Sequence, residues 1–295
     1  MQSADFLSAV FFYLKVGENL NQNWIVENLN NVFSTWNGKL GELWGLVTTG
    51  PQTFKGGAVW SVMQTLHNGM VGIGYALVVL FFAISLCKNT MNFHELKRPE
   101  AAIHYFLRFV AAKTLVGYGM DIMLNVFSIC NGIVTDMADS MGGISEAMVS
   151  LPAEMQTAIE NVGFLASIPL WLVTILGSLF ITVLSFVMIL TVYGRFFRLY
   201  MYTALAPLPL AAFAGESTQS VGISFLKSYV GVCLEGAVIV LACVIYSAFV
   251  STPTVASGEA TTIVWSYLAE TVFNMLVLVG LIKGSDRIIH EMMGL

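Results

Sequence analysis

Along this chain, long apolar runs alternate with short gaps that collect the charges. No charge stands between Gly56 and Cys87 apart from a possible one on His67, and none stands between Asn161 and Gly194. A helix needs about 20 apolar residues to cross the hydrocarbon core of a bilayer. The runs therefore predict five spans, at 60–86, 101–133, 164–192, 228–250 and 261–282. The second carries Arg108, Lys113 and Asp121, the fourth only Glu235, and the fifth only Glu270. Between the third and fourth lies LYMYTALAPLPLAAFAG, 199–215, where Pro207 and Pro209 each remove a backbone donor and crowd the preceding turn. Unpaired backbone groups at membrane depth must be buried in protein or line water. This segment is thus expected as a re-entrant or interfacial element, not a sixth crossing.

The first 55 residues follow another rhythm. Leu29, Phe33, Trp36, Leu40, Leu43 and Val47 recur at three- and four-residue steps, with Asn30, Ser34, Asn37 and Glu42 between them. That is the period of an amphipathic helix, here interrupted by glycines. Such a helix lies either on the outer membrane face, with Trp24, Trp36 and Trp44 at the headgroups, or against a neighbouring subunit. The organisation expected is an amphipathic region over 1–55 on the outer face, followed by an all-α polytopic membrane domain over 56–295.

Composition points the same way. The 295 residues are 57% hydrophobic and 11% charged, with a mean hydropathy of +0.77. A soluble domain carries about 25% charged residues, and disordered chains are poor in hydrophobics. The net charge of −5 argues against a basic surface for nucleic acid. Lys and Arg favour cytoplasmic loops, and here they alternate. Lys88, Lys97 and Arg98 follow span one, Arg195 and Arg198 follow span three, Lys227 precedes span four, and Lys283 and Arg287 follow span five. The outer loop 135–160 holds Asp136, Asp139, Glu146, Glu154 and Glu160 without Lys or Arg, and 252–260 holds only Glu259. A multi-pass protein of the cytoplasmic membrane is expected, its N-terminus outside and its C-terminus in the cytoplasm. The opening MQSADFLSAVFFYLK lacks the basic start of a signal peptide.

Catalytic patterns fail one by one. His94-Glu95 and His290-Glu291 each begin a zinc-binding HExxH pattern, but Arg98 and Gly294 stand where its second His belongs. There is no Walker A loop and no GxSxG elbow. Cys87, Cys130, Cys233 and Cys243 stand singly in apolar runs and are expected as buried free thiols. No catalytic residue, cofactor or metal site is expected.

Charge inside the membrane is the remaining chemistry, because such residues face a bundle interior or a watery cavity. Lys113, Gly117, Asp121 and Asn125 fall at four-residue steps on one helical face. Lys113 and Asp121 would stand about 12 Å apart along it, forming a polar stripe unless that end of the helix projects to the headgroups. Glu235 and Glu270 are each expected to pair with Lys113 or with a partner chain. Arg195 and Arg198 either snorkel toward headgroups or meet an acidic partner or DNA phosphates. With Pro207 and Pro209, these are the candidate channel and contact residues.

The run YGRFFRLYMYTALAPLPLAAFAGE, 193–216, followed by SVGISFLKSYVGVCLEGAVIVLACVIYSAF, 220–249, resembles the TrbL/VirB-type polytopic channel subunit of conjugative type IV secretion systems, in the form found on mobile elements of Firmicutes. The resemblance extends over roughly 56–295 and is strongest from Arg195 to Pro209. It implies a non-enzymatic channel or scaffold subunit working as a homo-oligomer beside secretion ATPases and other type IV secretion subunits. Membrane lipid surrounds such a subunit, and transferred single-stranded DNA contacts it transiently. The residue pattern alone also admits a small-solute permease. Transporters often pair two broken helices in inverted repeats, whereas one broken segment is visible here.

Overall fold

A computed structural model of the chain describes residues 2–90, 99–140, 148–162, 164–249 and 260–294, and among these there are helices and no strand. Among the described residues nine α-helices follow in order: α1 Gln2–Thr48, α2 Ala58–Thr90, α3 Pro99–Gly117, α4 Gly119–Ser140, α5 Ala153–Glu160, α6 Phe164–Leu205, α7 Pro207–Ala211, α8 Gln219–Phe249 and α9 Ala260–Met293. Short 3-10 turns precede α2 at Phe54–Gly57 and follow α7 at Ala212–Ala214. Lys97, Arg98, His94, Glu146 and Glu259 lie outside the described residues. Two compact units emerge. The first joins Met1–Gly45, Met141–Thr191 and Leu241–Lys283, and the second joins Leu46–Ser140, Val192–Val240 and Gly284–Leu295.

In the first unit, the periodic stripe of α1 is buried inside the chain's own bundle. Ile25, Leu29, Trp36, Leu40 and Leu43 are wholly inaccessible. Asn28 Nδ2 donates to Ser178 Oγ of α6 at 2.8 Å, and Phe33 meets Tyr267 of α9 edge-on, with centroids 6.5 Å apart. Asn37 holds the backbone of Val149 from both sides, donating to its oxygen at 2.8 Å and accepting from its N–H at 2.9 Å. Trp36, expected among the headgroups or against a neighbouring subunit, is instead enclosed within the chain itself. The glycines of α1 do not interrupt it, and the stripe finds its apolar partner intramolecularly. The acidic stretch before α6 is likewise partly anchored. On α5, Met155 and Ile159 are buried while Glu154 and Glu160 remain exposed.

In the second unit, the proline-bearing segment forms the core. Residues 199–205 are the last turns of α6 and not the start of a separate element, and Pro207 opens α7 at its first position. A helix tolerates proline there because that N–H has no intrahelical partner. Ala206 stays helical at φ −49 and ψ −39, and Leu210 N–H reaches its carbonyl at 3.1 Å. The prolines thus segment the helix without unwinding it. Ala206, Leu210 and Ala211 are fully buried. α2 approaches closely at Gly74, where a Cβ would lie 2.9 Å from the Pro207 oxygen.

Among the described residues four stretches are long and apolar enough to cross a membrane: Phe54–Lys88, Ser167–Leu205, Gln219–Phe249 and Thr262–Met293. Large apolar side chains point outward along them, among them Val79, Leu80, Leu190, Ile245 and Phe273. The fold is that of an all-α integral membrane protein. The stretch 101–133, expected as one span, is instead two helices meeting at Tyr118 between Gly117 and Gly119. Glycine lowers helix stability, and here it also admits a neighbour, since a Cβ on Gly119 would lie 3.2 Å from Leu210 Cδ1. Cys130, Cys233 and Cys243 are buried free thiols, whereas Cys87 is exposed.

Candidate functional site

In the second unit, four charged side chains from α6, α8 and α9 converge. Arg195 and Arg198 are three residues apart, which places them on neighbouring positions of one face of α6. Their fates differ. Arg195 is completely buried and has backbone carbonyls as its hydrogen-bond acceptors. Its Nε donates to the Val232 oxygen at 3.3 Å and its Nη2 to the Cys233 oxygen at 3.2 Å, both on α8. Nη1 donates to the Val47 oxygen at 3.2 Å. Val47 lies in the last turn of α1, where helix carbonyls have no intrahelical donor and the macrodipole is negative. α1 has no basic residue in that turn, so Arg195 supplies its cap from α6. The Phe127 ring lies beneath the guanidinium at 6.0 Å. Gly236 makes room, since a Cβ there would fall 2.7 Å from both terminal nitrogens.

Arg198 carries the ion pairs. Its Nη2 meets both oxygens of Glu235, at 2.7 and 2.6 Å, while Nη1 meets Asp286 Oδ1 at 2.6 Å. Glu235 is only 1% exposed, whereas Asp286 is 43% exposed at its side chain. Ser285 Oγ donates to Glu235 Oε1 at 3.2 Å, and His290 Nε2 lies 3.7 Å from Asp286 Oδ1. Two guanidinium groups and two carboxylates therefore balance within one cluster. Removing one partner of such a buried set strands the other, which is costly. The cluster ties three helices together by charge.

A second polar arrangement repairs the proline break. Pro207 has no N–H, so the Thr203 carbonyl one turn earlier lacks its helical donor. His67 of α2, almost fully buried, places Nδ1 2.7 Å from that oxygen. The imidazole therefore carries its proton on Nδ1 to serve as donor. It packs beside Gly119, whose Cβ would lie 3.5 Å from His67 Cε1. One imidazole thus links α2 to the end of α6 at the point where α7 begins.

Of the sequence-derived candidates, Arg195, Arg198 and Glu235 come together, and Pro207 lies buried in the same unit, with Pro209 partly exposed. Arg195 does not snorkel to headgroups but is enclosed. Glu235 pairs with Arg198, not with Lys113, which is exposed on α3. Lys113 and Asp121 stand on separate helices, so the continuous polar stripe expected of one span is broken at Tyr118. Asp121 lines an open cleft of about 520 Å³ with Gln52, Asn125, Ser128 and Asn131. Glu270 is exposed on α9 in the first unit and does not join the cluster. Asp286, Ser285 and the His67 contact were not anticipated. Asp286 fell beyond the expected end of span five, although α9 continues to Met293. A lone histidine in an otherwise charge-free run was the visible sign of the other.

No three ligand-type side chains cluster for a metal among the described residues. What the fold and the charge cluster define is a polytopic helical membrane protein braced by internal ion pairs. The model of one family, described as TrbL/VirB6 plasmid conjugal transfer like protein, matches residues 36–207. That is more than half of the chain, which therefore belongs to this family and is a component of a conjugal transfer system. The match starts earlier than the resemblance suggested, within α1, and ends at Pro207. No curated protein and no solved structure matches the chain.

Proposed function

We propose that this chain is a channel or scaffold subunit of a conjugative type IV secretion machine, without enzymatic activity of its own. It would contribute, as a homo-oligomer, to the passage of DNA–protein substrate across the cytoplasmic membrane. Family membership over residues 36–207 carries the reading. The outward apolar faces support a subunit set in lipid, and the ion-paired cluster of α6, α8 and α9 supports a structural role. Secretion ATPases and the other transfer subunits are the partners this role requires, and they supply the energy.

The test is genetic. A donor lacking this chain should lose DNA transfer, and supplying the chain in trans should restore it; parental transfer by the deleted donor would refute the role. Pro207→Ala with Pro209→Ala should leave the protein inserted and abundant while transfer falls sharply. Normal transfer by that variant would make the segment a mere connector.

A further inference from the structure

Within the second unit, a cation and an anion share a small cavity between α3 and the turn that leads into α8. His104, Tyr105 and Arg108 of α3 and Glu216 of the turn line about 240 Å³, less than the roughly 300–1,000 Å³ of a pocket for a drug-sized molecule. Arg108 Nη2 donates to Gln219 Oε1 at 3.3 Å, and Nη1 lies 4.0 Å from Glu216 Oε2. A guanidinium has five N–H donors, so among the described residues donors remain for an anion. The Glu216 side chain is mostly exposed and equally loosely held. Its turn is nevertheless fixed. Thr218 Oγ1 donates to the Ala212 and Gly215 oxygens at 2.7 and 3.2 Å, and a Cβ on Gly215 would fall 3.1 Å from the Phe81 oxygen of α2. Beside the cavity, α3 turns an apolar face outward. Ile103, Phe106, Leu107 and Val110 follow the i, i+3, i+4, i+7 pattern and are 42–62% exposed, while Ala112 and Val116 on the opposite side are wholly buried. At 3.6 residues per turn, His104 and Arg108 stand on the flank between these two faces. α3 is not among the four long apolar stretches, and an apolar face edged by Arg, His and Tyr suits the level of lipid headgroups.

We propose that the cavity holds the headgroup of a phospholipid bearing a primary amine, of the phosphatidylethanolamine type, with its acyl chains lying over Ile103, Phe106 and Leu107. Arg108 takes the phosphate, because a guanidinium matches phosphate oxygens with paired N–H donors. His104 adds a ring N–H, which an imidazole carries in either tautomer. Glu216 accepts from the ammonium. A purely anionic headgroup suits the cavity less, since its phosphate would face the Glu216 carboxylate with no positive end to offset the repulsion. A choline headgroup has no N–H to give Glu216, and Tyr105 alone among the described lining residues is aromatic, short of the cage that quaternary ammonium groups use. A soluble phosphate ester would make the polar contacts but leave the neighbouring apolar side chains uncovered. The inference concerns lipid and stands apart from DNA transfer.

Native mass spectrometry of the full chain released from detergent tests it, with phosphatidylethanolamine, phosphatidylglycerol and phosphatidylcholine of matched acyl chains added in turn. The first should be retained several-fold more than the other two. Arg108→Gln should lower its retention by about tenfold, as for one lost hydrogen bond to a charged group. Glu216→Gln should keep phosphate binding but bring phosphatidylethanolamine level with phosphatidylglycerol. Because Glu216 is mostly exposed, this variant keeps the test decisive if Arg108→Gln fails to fold. Arg287→Gln, which removes a highly exposed cation of α9, should leave retention at the parental level. Equal retention of the three lipids by the parent chain would overturn the proposal, as would equal losses from Arg108→Gln and Arg287→Gln. Soluble phosphoethanolamine in excess should leave the lipid in place, and displacement by it would reject the lipid in favour of a soluble phosphate ester.

Discussion

Arg198 shows how burial grades two otherwise similar ion pairs. It holds Glu235, which is 1% exposed, and Asp286, whose side chain is 43% exposed, at the same distance of 2.6 Å. Arg198→Ala should therefore cost about 3–5 kcal/mol, because Glu235 is left buried and unpaired. Asp286→Asn should cost less than about 1 kcal/mol, as for a solvent-screened pair. Unfolding midpoints of the purified protein in one detergent check both, and equal losses would contradict the grading. Gly236→Ala should cost about 1–3 kcal/mol by overpacking against Arg195. The presence of charge at these positions was legible in the sequence, since membrane helices seldom carry it without a partner. The pairing was not legible. Glu235 was expected to meet Lys113 or a partner chain, and Asp286 lay beyond the expected end of span five. The buried carbonyl cage around Arg195 leaves no trace in side-chain identity, because any residue can offer a carbonyl.

At the scale of elements, the junction of α6 and α7 depends on a donor from elsewhere. His67→Leu should leave the Thr203 oxygen without its bond and cost about 1–3 kcal/mol. In a Pro207→Ala background the alanine N–H can satisfy that oxygen through the ordinary helical bond, so the same His67→Leu change should cost markedly less. A double-mutant cycle read by thermal unfolding measures the coupling; additive losses would separate the histidine from the proline. The prolines announced a break in the sequence, but its kind was ambiguous, since proline both disrupts a helix interior and starts a new helix. The stripe of α1 was equally plain as a period and silent about its partner. Lipid, a neighbouring subunit and the chain's own α6 and α9 all reward the same pattern. The interruption at Tyr118 escaped notice because glycine is common in membrane helices and only its neighbours reveal why it is needed.

For the whole molecule, the distribution of Lys and Arg between loops predicts the membrane orientation. We predict that cysteines replacing Ser140 or Ser257 react with an impermeant thiol reagent added to intact cells, and that one replacing Asn92 does not. Labelling at Asn92 alone would invert the topology. The all-α membrane class was legible from composition and run length, because bilayer thickness imposes a minimum on both. The number of crossings was less so. Run length does not show whether a helix is continuous, and 101–133 is apolar enough to suggest one span while folding as two helices.

The charge cluster also sets an order of assembly. Arg198 precedes Glu235 by 37 residues, so at a synthesis rate of about 5–20 residues per second the arginine exists for roughly 2–7 s before its buried partner has been made. Asp286 arrives later still. During that interval α6 carries two cations with no counter-charge, a state that resists full entry into lipid. On the orientation predicted above, its cationic end would wait at the cytoplasmic edge until α8 and α9 emerge. We predict that a chain truncated before Glu235 leaves α6 less fully inserted than the whole chain does, read by thiol labelling of a cysteine near Arg198.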